Sequence, residues 1–262
     1  MKKALLLVSI LSGVFISSAQ SIKEQCQCDL GKLNRKLYFK GDFDSSLMVS
    51  LELRDEYVEN EEKKGLIDIT TFIGELYRAM GIKDEAEDYV RLALHLTDSL
   101  EYPSIRSYVY GRLAAILYEQ QKFDEGIQAA NKCIEYSNKY GNKKDMVSAY
   151  SVLGAIERDK GNYNKALYNF KEALKLYDND EESQSYRINE YINISSTFSR
   201  MNQYDSGLYY ANKAVRMARR HKVPNLLRFA YYNQFQAYEA LDSVRKAFTA
   251  FRNHNKLKDS IL

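Results

Sequence analysis

Small residues stand at fixed intervals within a bulky, helix-periodic pattern along this chain. In LGAIERDKGNYNKALYNFKEAL, residues 153–174, Gly154, Ala166 and Ala173 lie 12 and then 7 positions apart. The same spacing returns at Gly74, Ala86 and Ala93, at Ala114, Gly126 and Cys133, and at Ser195, Gly207 and Ala214. Looser instances occur at Asn34, Ser46 and Leu53 and at Phe235, Ala247 and His254. The first members are separated by 40, 40, 40, 41 and 40 residues. Self-similarity at such a period predicts a solenoid of stacked supersecondary units.

Other positions keep the same register. Four residues before the first small site stand Leu30, Thr70, Tyr110, Tyr150, Tyr191 and Tyr231. Directly before it come Leu33, Ile73, Leu113, Leu153 and Ile194, with Gln234 breaking the pattern. Three residues after it come Leu37, Tyr77, Leu117, Glu157, Phe198 and Tyr238. Offsets of three and four place side chains on one helical face. A break follows at Gly41, Gly81, Gly161 or Asn202, residue types that take the left-handed conformation ending a helix. A second amphipathic segment comes next, and Pro103 and Pro224 stand where it yields to the next unit. Each unit is therefore expected to be two antiparallel helices, with the small residues permitting close approach. A bulky side chain at those sites would overpack the contact.

The small sites, the tyrosines and the segment GNYNKALYNFKEAL resemble the tetratricopeptide repeat. The resemblance implies an all-α, right-handed superhelical solenoid of about six antiparallel helix pairs. The corresponding units are about 27–66, 67–106, 107–146, 147–187, 188–227 and 228–262, within a repeat domain spanning 21–262. The fourth unit matches best and the end units least, as terminal repeats facing solvent should. The period exceeds the usual length of about 34 residues, so helices or inter-repeat loops must be longer. Glu157 stands where a bulky apolar residue is expected and Phe235 where a small one is.

Residues 1–20 stand apart from the repeats. Lys2 and Lys3 precede an apolar run from Ala4 to Ile16 and the small residues Ser17, Ser18 and Ala19, the pattern of a secretory signal peptide. An uncleaved anchor is the alternative. The expected location is therefore extracytoplasmic, in the periplasm. Signal peptide, long-period repeats and the closing KLKDSIL are similar to the sensor regions of Bacteroidetes regulators. Those proteins continue through a membrane helix into a histidine kinase or a helix-turn-helix domain. The resemblance implies a sensory input module, with a standalone envelope scaffold as the alternative.

Charge adds an asymmetry. The formal net charge is +3, yet Asp42–Tyr102 holds 16 acidic and 6 basic residues, and Lys213–Leu262 holds 11 basic and 3 acidic. Solubilising surface charge explains this as readily as polarised binding surfaces do. The cysteines number three, which is no disulfide framework. Cys26 and Cys28 leave a strained bridge, a bond to another chain and free thiols open, whereas Cys133 falls on a packing position.

Catalytic motifs are missing: there is no Gly-rich phosphate loop, H-E-x-x-H, G-x-S-x-G or C-x-x-C. His95, His221 and His254 fall in different repeats, which argues against a metal site. The expectation is a non-enzymatic protein without cofactor or metal. Arg216–Lys222, RMARRHK, is the densest basic cluster, but without interleaved aromatics it does not point to nucleic acid. Membrane contact is expected only through an uncleaved anchor or a C-terminal continuation. Asp98-Ser99-Leu100, Asp242-Ser243-Val244 and Asp259-Ser260-Ile261 resemble the acceptor of Bacteroidetes O-glycosylation, which would modify Ser99, Ser243 and Ser260. Helix capping and turn chemistry explain the same triplets.

A tetratricopeptide superhelix presents a concave groove lined by the first helix of each pair. In this register the groove residues would be Arg35, Tyr38, Glu75, Arg78, Tyr108, Tyr118, Ser151, Arg158, Asn189, Tyr232, Gln236 and Glu239. Tyrosines offer rigid amphipathic area and arginines hold carboxylates, which suits an extended peptide or a protein partner.

Overall fold

The computed structural model describes residues 30–177 and 181–261. Residues 1–20, which carry the signal-peptide pattern, and Cys26 and Cys28 lie outside the described residues, as does the side chain of Ser260. Twelve α-helices and no strand occur among the described residues. The chain divides into two compact units, Met1–Ile105 and Arg106–Leu262. The first contains α1 (residues 30–40), α2 (Phe43–Glu59), α3 (Lys63–Ala79), α4 (Lys83–Ser99) and a 3₁₀ turn, Pro103–Ile105. The second contains α5 (Arg106–Glu119), α6 (Phe123–Tyr140), α7 (Lys143–Asp159) and α8 (Tyr163–Leu176), then α9 (Glu181–Arg200), α10 (Tyr204–Arg220), α11 (Pro224–Ala240) and α12 (Val244–Ile261).

The interval of 12 measures the crossing of two antiparallel helices about their turn. A Cβ added to Gly74 would meet the Ala86 carbonyl oxygen at 3.0 Å, and one on Gly207 would meet that of Ser195 at 3.2 Å. Ser195 Oγ donates to the Gly207 carbonyl at 2.7 Å across the same crossing. In the looser first repeat, Asn34 and Ser46 are also buried, joined to each other and to Ser50 by hydrogen bonds. Polar groups serve there because their donors and acceptors are matched. The interval of 7 spans two turns of the second helix, so Ala86 and Ala93, or Ala166 and Ala173, are fully buried on one face. At the best-matching repeat the Phe170 ring lies over Gly154, where any Cβ would come within 2.5 Å of it.

The finer rhythm is about half the repeat. Helices α2, α3, α4, α7, α10 and α11 each have 17 residues, so the added length over a usual repeat lies in the helices. Nearly every junction uses one turn. The residue after the turn donates its N–H five residues back, as Ile82 does to Tyr77 and Gln203 to Phe198, both at 2.9 Å. The preceding residue is left-handed, as the Schellman arrangement requires. Glycine supplies it at Gly81 and Gly161, but Glu61, Glu101, Gln121, Asn202, Lys222 and Asp242 also adopt it, with φ between 53° and 61°. Such residues hold a disfavoured conformation because the helices on either side are packed in place.

The end of α8 departs from this rule. Helix α8 ends after 14 residues, and Tyr177 leaves it extended, with φ −72° and ψ 129°. Here too the repeat spacing lengthens, Ser195 following Gly154 by 41 residues. Within the second unit α5 packs beside α7 and α9 beside α11, while α7 and α9 touch only lightly.

Candidate functional site

The space between α7 and α9 is a cleft of about 510 Å³, a volume in the range of ligand sites. Tyr108 and Arg112 of α5, Ser148 and Ser151 of α7, Tyr177 after α8, and Tyr186, Asn189, Glu190 and Asn193 of α9 are among its walls. Lys143 and Lys144 at the start of α7 also line it. Tyr177 is extended at the end of α8, and its ring stacks on Tyr186 of α9 at 6.2 Å.

Glu190 is the most unusual group of the cleft. It is 2% exposed, and its Oε1 accepts a hydrogen bond from Ser151 Oγ, while Oε2 has no hydrogen-bond partner. Burial pushes its carboxyl up to about 7, against the opposing influence of Ser151, Asn193, Tyr177 and the more distant Arg158 charge. Removing an ionised carboxylate from water is unfavourable unless a cation accompanies it, so the proton is held instead. Tyr177 is raised as well, by burial first and then by Glu190. Near the opposite wall Ser107 Oγ donates to Asp145 Oδ2 at 2.6 Å, and burial raises this carboxyl despite Ser107 and Arg112. The Arg112 guanidinium lies 5.0 Å from the Tyr108 ring centre, a cation–π distance. Behind the wall Cys133 is fully buried, its thiol pushed up to about 12 by burial, which makes it unreactive.

Of the residues expected from sequence to line a groove, Tyr108, Ser151 and Asn189 line this cleft. Tyr118 and Arg158 stand beside it. The Tyr118 hydroxyl donates to Asp159 Oδ2 at 2.8 Å and accepts from Arg158 Nη2 at 3.3 Å, and Arg158 Nη1 donates to Asn193 Oδ1 at 3.3 Å. Tyr232, Gln236 and Glu239 lie on α11 away from it, with the Tyr232 ring 5.4 Å from His254. Arg35, Tyr38, Glu75 and Arg78 belong to the first unit. There Arg35 is exposed, Tyr38 packs on Phe43 and Phe72, and Arg78 Nη2 pairs with Glu75 Oε2 at 3.0 Å. Ser99 is exposed at the end of α4, and Ser243 follows the left-handed Asp242 in the turn before α12.

Sequence reading missed Glu190, although the repeat carries a signal for it. Five residues before the first small site stand Ile69, Val109, Ala149, Glu190 and Ala230, all buried. Four are apolar and one is a carboxylate. Comparing repeats column by column would have isolated it. Asn193 and Tyr177 gave no such signal, because their place depends on the irregular junction.

Residues 106–179 and 145–220 match the tetratricopeptide-repeat family model. Residues 106–220 carry tetratricopeptide repeats. The "Uncharacterized protein ycf37" of Guillardia theta is 31% identical over 84 residues, covering 32% of this chain and 46% of that protein. The match thus spans under half of that relative. The crystal structure of BtubC (BKLC) from P. vanneervenii superposes with TM-score 0.70 at 16% identity, over 84% of this chain and 92% of that one. The Rap conjugation gene regulator of plasmid pLS20, in complex with the Phr* peptide, gives TM-score 0.68 at 15% identity, over 87% of this chain and 63% of that one. At these identities the likeness to the solved structures is one of fold.

Proposed function

We propose that this chain is a non-enzymatic scaffold that binds an extended peptide segment of a protein partner in the cleft between α7 and α9. The observation that carries this reading is the cleft itself, with aromatic and amide side chains around a buried carboxylate oxygen that lacks a partner. Polar groups converging in a partly apolar concavity are the usual form of a recognition site. The Rap regulator of similar fold, solved with a peptide, supports it by analogy. The signal-peptide pattern of residues 1–20 supports an exported protein, and the resemblance to Bacteroidetes sensor regions supports a sensory input role. Cell fractionation with an epitope tag tests the first of these.

Binding is tested by affinity capture from the native envelope with wild type and Asn189→Trp, whose indole would fill the cleft from an exposed position. A partner retained by wild type and lost by the equally folded variant supports the reading. A partner retained by both moves binding elsewhere.

A further inference from the structure

We propose that Glu190 is the specificity determinant of this cleft, receiving on its free Oε2 the ammonium or guanidinium of a lysine or arginine in the bound peptide. This rests on the peptide-binding reading and names the chemistry of the peptide. The first argument is register. A carboxylate occupies a buried column in which the other described repeats place Ile69, Val109, Ala149 and Ala230. An apolar residue would pack there at no electrostatic cost, so the fold itself does not require a charge. The second is connectivity. Glu190 lines the cleft, its Oε1 is held by Ser151, and its Oε2 is buried without a hydrogen-bond partner.

The groups acting most strongly on Glu190 include one cation. Ser151 and Arg158 act on it from α7, Tyr177 from the end of α8, and Asn193 from α9. Arg158, the one cation among them, is already engaged with Tyr118 and Asn193. A neutral donor from a ligand would supply a hydrogen bond but no counter-charge. A cationic donor supplies both the hydrogen bond and the counter-charge, and displaces the proton to solvent. Arg112, Lys143 and Lys144 line the same cleft with Asp145, so a purely basic peptide is opposed there. The matching segment has one basic residue with an acidic neighbour directed toward those lysines. Binding then releases a proton: Glu190–COOH and the ligand cation become a carboxylate–cation pair plus one proton in solvent.

The test is selection of a displayed random hexapeptide library at neutral pH on the immobilised full chain, in parallel on wild type and Glu190→Gln. The amide keeps the shape and the Ser151 hydrogen bond, and circular dichroism checks its folding. Wild type is expected to enrich lysine or arginine at one fixed position, and Glu190→Gln to lose that enrichment. For a selected peptide the variant's Kd should rise about tenfold or more, as expected for a lost charged hydrogen bond. Calorimetry in buffers of different ionisation enthalpy should find up to about one proton released near pH 6 and little above about pH 8.5. Peptides enriched equally by both proteins without a basic residue would overturn the assignment and leave peptide binding standing. So would enrichment of acidic residues alone. No enrichment on either protein would overturn peptide binding itself, and the assignment with it.

Discussion

Each unit buries a glutamate on the first helix of a repeat, and the two are satisfied by different means. Glu75 of α3 is 6% exposed and pairs with Arg78 one turn along the same helix at 3.0 Å. Glu190 of α9 is 2% exposed and has only neutral hydrogen-bonding neighbours, with Arg158 acting from farther away. In the first unit the counter-charge is built into the helix, so the carboxylate is a structural element. In the second, a bound proton balances the charge below about pH 7, and a ligand can replace it. Burial alone does not distinguish a structural carboxylate from a receptive one; the identity of what balances its charge does.

The largest expected effect breaks that contrast at Glu190. Its carboxyl ionises around 4.5 in an unfolded chain and about 7 when folded. Below about pH 4.5 both states are protonated and the group leaves stability unchanged. As pH rises toward about 7 the unfolded chain gives up the proton while the folded chain retains it, so stability falls and then levels off, by about 3 kcal/mol in total. Glu190→Gln lacks this loss. Urea denaturation should show its advantage over wild type growing between pH 4 and pH 8, and an advantage independent of pH would refute the buried-proton account.

Arg78→Ala tests the other side. Removing the built-in cation leaves Glu75 buried beside an emptied space, at an expected cost of about 2 kcal/mol at neutral pH. This is below the value for a fully buried pair because the arginine is partly exposed. Adding Glu75→Gln should restore most of the loss in the same denaturation assay; a double variant as unstable as the single one would mean that Arg78 acts mainly by packing. A smaller effect is expected for Tyr177→Phe, which removes a hydroxyl that favours ionised Glu190. The Glu190 carboxyl midpoint, followed by carbon-13 NMR, should move further up, with a stability change of about 1 kcal/mol or less. The smallest effect belongs to the surface pair Lys160–Asp124, 3.0 Å apart. Lys160→Ala should shift stability by no more than about 0.5 kcal/mol, diminishing with added salt.

Much of the fold was legible from particular residues. Gly74 with Ala86, and Ser195 with Gly207, are 12 apart because a helical turn, a tight junction and a second helical turn always consume about that many residues. The breaks at Gly41, Gly81, Gly161 and Asn202 were legible because they are the residue types that adopt positive φ readily. The equivalent turns at Glu61, Gln121 and Lys222 were not, since packing on both sides imposes their conformation against local preference. Among the groove residues, a helical register could place Tyr108, Ser151 and Asn189 on first helices. It could not separate them from Tyr232 and Glu239, which occupy first helices too and lie away from the cleft.

By itself, then, the sequence determined the repeat, its helical hairpins and the positions at which helices cross, because these follow from short-range periodicity and side-chain size. Tertiary structure alone decided that α7 and α9 touch only lightly, that a cleft opens there, and that Glu190 lines it with one buried oxygen unpartnered. The physical reason is that a cleft is the residue of an imperfect stacking. It depends on contacts between helices far apart in sequence, and on which groups remain to balance a charge removed from water.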